Sequence, residues 1–217
     1  MSNRRRRKII RCAVVICGAA AFILILCGLV SAFWGGTGVA EVSEEELPEI
    51  NIQQKLLKKN KYSRPGKALN KVKGIVVHYT ANPGTDAAAN RNYFNNLEKI
   101  NRQTGKDTYA SSHFIIGLEG QIIQCIPLNE IAYASNDRNE DTISIECCHP
   151  DKTGQFNKGT LAALKQLVSY LCLKFRLRED AVIRHYDVTG KQCPLYFVEH
   201  EDMWEKFKEE IGRTIRG

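Results

Sequence analysis

From Cys12 to Trp34 the chain carries no charged side chain, and Arg4, Arg5, Arg6, Arg7, Lys8 and Arg11 crowd the stretch before it. A run of 23 residues without a charge is long enough, at about 1.5 Å per residue, to cross a hydrocarbon core of about 30 Å. The run therefore divides the chain. Residues 1–11 are expected as a cytoplasmic basic segment and 12–34 as a transmembrane anchor. By the positive-inside rule everything after Trp34 is expected outside the cell membrane, as a single-pass protein. A cleavable signal peptide is the competing reading: its apolar region runs to about 7–15 residues, shorter than this one, but Val30-Ser31-Ala32 has the small residues of a cleavage site. The bulky Leu26 before Cys27 argues against a lipid-modified cysteine.

The same basic cluster accounts for most of the charge. The net charge is +7, and six of the positive charges lie in the first eleven residues. The rest of the chain is close to neutral, so no basic stripe suggests nucleic acid as a partner.

Residues 35–70 are expected as a linker or stalk. It opens with Gly35, Gly36 and Gly38, passes through an acidic patch from Glu41 to Glu49, and ends in a basic one from Lys55 to Lys67. Gln53–Lys61 is a short candidate helix, and Arg64-Pro65-Gly66 a turn.

Residues 71–217 read as one α/β domain with a central mixed sheet flanked by helices. Gly74–Thr80 is a β-branched run suited to a buried strand. Asp86 is placed to cap a helix through Asn96, with Ala88, Tyr93 and Leu97 inward. A polar loop is expected from Lys99 to about Thr108. His113–Leu118 and Gln121–Ile126 make a hairpin about Glu119-Gly120, and Thr142–Cys148 is a further strand. Gly159–Phe175 is an amphipathic helix, Ala181–Arg184 a short strand and Glu199–Ile215 a closing helix.

Three places carry chemistry. His78 ends the first strand. His185 leaves another strand into a loop that reaches Cys193-Pro194. Zinc takes imidazole and thiolate ligands, and a catalytic site keeps three of them with one position open. Either histidine alone reads equally as a structural residue, and the cysteine as a loop residue. The third place is Glu146, a carboxylate in the otherwise apolar strand Ile143–Cys148, where a charge needs a partner or a task. Alternation puts Ser144, Glu146 and Cys148 on one face and Ile143, Ile145 and Cys147 on the other. Beside activated water a carboxylate is a natural general base; the alternative is a salt-bridged strand-edge residue. Five cysteines lie in this domain, an odd number, so at least one stays unpaired within it. The neighbouring Cys147-Cys148 also raises a thiol-redox reading, opposed by their opposite directions on a strand.

Together Ile75–Thr80, Ser112-His113-Phe114-Ile115-Ile116, Ile122–Pro127, Ser144-Ile145-Glu146 and His185-Tyr186-Asp187 through Cys193-Pro194 resemble the zinc-dependent N-acetylmuramoyl-L-alanine amidases, which share a fold with phage lysozyme-type amidases and peptidoglycan recognition proteins. The resemblance covers about Lys73 to Phe207. It implies zinc held by His78, His185 and Cys193, Glu146 as acid/base residue, Lys191 as a cation for the oxyanion, and His113 as a substrate or oxyanion contact. It implies peptidoglycan as substrate, cut between N-acetylmuramic acid and L-alanine. A non-catalytic peptidoglycan-binding module on the same fold is the alternative. Two departures stand out. Ser112 replaces a tyrosine found in some relatives. Tyr133-Ala134-Ser135-Asn136 stands where many carry Trp-His-Ala-Gly, without the histidine. His149 and His200 are expected at the surface.

Overall fold

Gly74–Tyr79 lies deep in a six-stranded sheet, every residue but Tyr79 buried. The computed structural model describes residues 47–217. In chain order the strands are β1 (Ile52–Gln54), β2 (Gly74–Tyr79), β3 (Phe114–Ile116), β4 (Ile122–Gln124), β5 (Thr142–Cys147) and β6 (Val182–Arg184). The helices are α1 (Ala87–Thr104), α2 (Lys158–Phe175), α3 (His185–Thr189), α4 (Leu195–Glu199) and α5 (Glu201–Arg216). The sheet runs β1-β4-β3-β5-β2-β6, parallel except for the β3–β4 hairpin. That hairpin turns at Gly120, whose φ of 80° suits glycine, and a Cβ there would meet the Gly159 carbonyl oxygen at 2.9 Å. The mixed α/β domain expected from the sequence is the architecture observed.

Alternation along the strands divides the core. Ile75, Val77, Ile143, Ile145 and Cys147 face α2 and α5, where Leu164, Leu167, Leu171, Trp204 and Phe207 complete the larger cluster. Ile115, Ile123, Cys125 and Cys148 face the other way, towards Ala87 and Phe94 of α1. Asp86 caps α1, its Oδ1 accepting from the Ala89 N–H at 2.6 Å. The helix passes the expected stop at Asn96 because Leu97 and Asn101 continue its buried face, and it ends at Gly105 in the left-handed conformation. Its inward residues are Ala87 and Phe94 rather than Ala88 and Tyr93, both of which are exposed.

The expected stalk is corrected over residues 50–70. Ile52–Gln54 is a strand, not the start of a helix, and pairs in parallel with Ile122–Gln124. The pairing continues as Lys55 N–H and Leu57 N–H donate to the carbonyls of Gln124 and Cys125. Leu57, Tyr62 and Leu69 are buried, and the Arg64 guanidinium grips the Glu130 carboxylate with two bonds of 2.8 Å. Arg91 of α1 closes over the strap by donating to the Leu56 carbonyl at 2.7 Å. Leu57→Ala should therefore lower unfolding stability by about 2–5 kcal/mol, the range for truncating a buried leucine. Denaturant titration checks this; a free stalk would give no change.

Among the described residues no helix is long and apolar enough to cross a membrane. The expected anchor at Cys12–Trp34 lies outside the described residues.

Candidate metal centre

His78 and Glu146 meet because β2 and β5 are parallel neighbours in one register. Ile75 lies opposite Ile143, so His78 lies opposite Glu146. Both alternate away from the α2–α5 core, and both leave their strands on the α1 face. Next to β2 on its other side, β6 aligns Arg184 with Val77, and His185 follows at once as the first residue of α3. Cys193 returns to the same point through the tight loop after α3. Its carbonyl accepts from the Tyr186 N–H at 2.9 Å, and its own N–H donates to the Lys191 carbonyl at 2.7 Å.

Arg184 holds this return in place. Its buried guanidinium reaches Asp187 of α3 at 2.8 Å, the Phe197 carbonyl of α4 at 2.9 Å and Glu201 of α5 at 2.5 Å. One side chain thus ties the segment carrying His185 to the segment that follows Cys193.

The ligand atoms of His78, His185 and Cys193 lie within 4.8 Å of one another. The Cys193 sulfur is 3.8 Å from His78 Nδ1, and the two imidazole rings are 4.7 Å apart by their centroids. A tetrahedral zinc site with bonds of about 2.0–2.3 Å needs donor separations of about 3.3–3.8 Å, which small side-chain movements supply. One more feature fits a metal: His185 Nδ1 is buried without a hydrogen-bond partner, while Nε2 of the same ring faces the Asn136 amide oxygen at 3.2 Å. A bare lone pair turned inward beside a thiol is a ligand position. The three residues can hold a metal ion, and their nitrogen and sulfur donors are those zinc takes.

The electrostatics agree. Burial drives the His78 pKa well down, helped by His185 and Lys191, and burial lowers His185 as well. Both rings are thus neutral, as ligands must be. Burial pushes the Cys193 thiol up to about 12, with Glu146 adding to the rise, while a hydrogen bond from the Tyr79 backbone and the Lys191 charge oppose it. Binding a cation must therefore displace the thiol proton. Glu146 is pushed up to about 8, chiefly by burial and against the charge of Lys191. Its Oε2 is buried with no partner. Lys191 itself is exposed, and its charge acts on all four neighbours.

Other candidates are placed differently. His113, expected to touch substrate, is 1% exposed and has both ring nitrogens engaged. Nδ1 accepts from the Ser144 N–H at 3.0 Å, and Nε2 donates to the Glu130 carbonyl at 2.9 Å. It is a strut between β5 and the loop beyond β4, because it leaves the sheet two register pairs below Ile115 and Glu146. His149, expected at the surface, is buried against Tyr79, with Nδ1 2.6 Å from the Asp151 carbonyl oxygen. His200 is exposed. All five cysteines of the domain are free and buried, and Cys147 and Cys148 sit in opposite core clusters. That arrangement rules out the thiol-redox pair. Two residues singled out earlier only as departures, Ser135 and Asn136, touch the ligand histidines: Ser135 Oγ is 3.2 Å from His78 Nε2.

The strut predicts a pH effect. Burial lowers His113 from its ordinary 6.5 to about 4. Between those values the unfolded chain binds the extra proton, so folding stability falls as pH drops from about 6.5 towards 4 and flattens below. The loss is on the order of 3 kcal/mol at about 1.36 kcal/mol per pH unit. Unfolding titrations at pH 7 and pH 4.5 should show a shallower pH slope in His113→Gln than in the unaltered protein; equal slopes would sink this assignment.

The family model for N-acetylmuramoyl-L-alanine amidase (Amidase_2) matches residues 68–195. The N-acetylmuramoyl-L-alanine amidase CwlL of Bacillus licheniformis is 35% identical over 179 residues, covering 76% of this chain and 48% of that protein. The amidase BlyA of Bacillus subtilis is 35% identical, covering 73% and 46%. The chain thus spans about half the length of the curated relatives it matches. Among solved structures, the catalytic domain of XlyA is 32% identical with a TM-score of 0.61, covering 75% of this chain and 100% of that one. PlyL is 26% identical with a TM-score of 0.61, covering 75% and 97%. The sheet register that sets His78 beside Glu146 and the match over residues 68–195 lead to one assignment: the chain belongs to the N-acetylmuramoyl-L-alanine amidase family.

Proposed function

We propose that this protein hydrolyses the amide between N-acetylmuramic acid and L-alanine in peptidoglycan. The observation that carries the reading is the unpartnered Glu146 carboxyl set in register with His78, beside His185 and Cys193. His78, His185 and Cys193 would hold a zinc ion, which when bound polarises a carbonyl and acidifies water. Glu146 takes the proton of the attacking water and returns it to the leaving amine of L-alanine. A carboxyl whose pKa lies near the working pH can both take up and release that proton. Lys191 brings a positive charge to the oxygen that becomes negative as water adds. His113 contributes from below by fixing Ser144, two residues before Glu146 on the same strand.

A binding module without chemistry would not need a buried carboxyl, which carries a desolvation cost. The test is digestion of purified peptidoglycan by the full-length protein, followed by mass spectrometry of the products. Free stem peptides beginning with L-alanine, together with glycan chains bearing an unsubstituted lactyl group, support the reading. Retention of peptidoglycan without new fragments supports the binding module instead.

The domain is proposed to act outside the cell membrane, anchored by residues 12–34, on the strength of the uncharged run and the basic cluster before it. Protease treatment of intact protoplasts should remove the domain and leave a small membrane-bound fragment. A soluble protein beginning near Phe33 would mean a cleaved signal peptide.

A further inference from the structure

We propose that Ser135 and Asn136 are positioning residues that aim both metal-ligating histidines from one loop, Asn136 also setting the tautomer of His185. The inference rests on the metal-site reading above. A neutral imidazole has one N–H and one lone pair, and whichever nitrogen is tied up as a donor leaves the other to face the metal. The Asn136 amide oxygen accepts only, so His185 Nε2, 3.2 Å away, carries the hydrogen. The lone pair is then left on Nδ1, the atom that is buried and unpartnered. Ser135 works differently: a hydroxyl can donate or accept, so it holds the aim of its ring without fixing the tautomer. Its hydroxyl lies 3.2 Å from His78 Nε2, while His78 Nδ1 is the nitrogen turned to the Cys193 sulfur. Two adjacent residues thus act on the outer nitrogens of two rings that arrive from different strands.

The loop is built to hold this pose. Asn139 Oδ1 accepts from the N–H groups of both Ala134 and Ser135, at 2.9 and 2.6 Å. Ser135 is 1% exposed and begins the short 3-10 turn Asn136–Arg138. The turn is pinned to the start of β5, where Arg138 bonds Asp141 at 2.7 Å and the Thr142 hydroxyl donates to the Arg138 carbonyl at 2.5 Å. Asn136 has a φ of 51°, a left-handed conformation that asparagine and glycine tolerate better than other residues. That backbone turns its amide towards α3, where His185 stands.

This conformation supplies a clean test. Asn136→Gly keeps a backbone suited to the left-handed region and removes the side chain that carries the amide. Zinc affinity of the full-length protein, solubilised in detergent, is measured by competition with a chelator. Asn136→Gly and Ser135→Ala should each weaken zinc binding about 10- to 100-fold, the usual cost of losing such an outer partner. Asn136→Asp, which keeps an acceptor oxygen, should restore affinity to at least the starting value. Denaturant unfolding of the metal-free protein should not rank the three variants in the order of their zinc affinities. Affinities within threefold of the unaltered protein in both weakening variants would overturn the proposal. So would an Asn136→Asp as weak as Asn136→Gly, or losses that track metal-free stability. Failure of the unaltered protein to bind zinc at all would instead overturn the metal-site reading on which the proposal stands.

Discussion

Glu146→Gln should retain zinc and lose about 10²- to 10⁴-fold of its hydrolysis, the range for removing a general acid–base group. The substitution keeps the size and shape of the side chain, so the His78–Glu146 register and the packing of β5 should survive. What disappears is the ability to take and return a proton. The carboxyl suits that task because nothing else occupies it: Oε2 is buried with no partner, and burial raises its pKa to about 8. Lys191 opposes that rise, and a bound cation would oppose it further. Turnover on purified peptidoglycan and zinc content by elemental analysis should be measured on the same sample. Normal turnover would place the base elsewhere, and His113 is a poor substitute because both its nitrogens are engaged inside the protein. Loss of zinc together with turnover would make Glu146 a ligand rather than a base.

Cys193→Ser should lose metal and activity together. A structural zinc site binds with about 10–16 kcal/mol shared over its ligands, so one ligand is worth about 3–4 kcal/mol, or roughly 10²- to 10³-fold in affinity. The fold should tolerate the change. Serine is close to cysteine in size, and the Tyr79 N–H that bonds the sulfur can bond a hydroxyl oxygen instead. In the unaltered protein zinc affinity should also climb with pH, because the thiol pushed up to about 12 must give up its proton to bind. Chelator competition across pH 6–8 checks both statements. A serine variant with full zinc occupancy and ordinary turnover would remove Cys193 from the ligand set.

The strands and long helices were legible because their patterns are local. Period-two alternation in Thr142–Cys147 already separated Glu146 from Ile143 and Ile145, and the structure keeps that division between two core clusters. Asp86 starts α1 by capping chemistry that depends on a few neighbouring residues, whereas the helix end at Gly105 lies beyond the stop expected at Asn96. The ligand set was visible too, but only through several segments taken together. His78, His185 or Cys193 alone has a bland reading, and the resemblance joined them.

The strap from Ile52 to Leu69 was not legible. Ile52-Gln53-Gln54 is too short and polar to show a period, and its partner Ile122–Gln124 lies far along the chain. Leu57 looks like any leucine in a basic stretch until Cys125 and Ile126 are seen to surround it. His113 and His149 were misplaced for a related reason. Burial of a histidine depends on what packs over it, and the Glu130 and Asp151 carbonyls that receive them belong to loops.

By itself, then, the sequence determined the central strands, the long helices and the chemical inventory, since these follow from contacts between near neighbours. The tertiary structure alone decided that β5 lies between β3 and β2, that His78 and Glu146 share a register, and that Ser135 and Asn136 reach the two imidazoles. Strand order and loop docking are set by burying both faces of the sheet at once, a constraint on the whole chain that no local window contains.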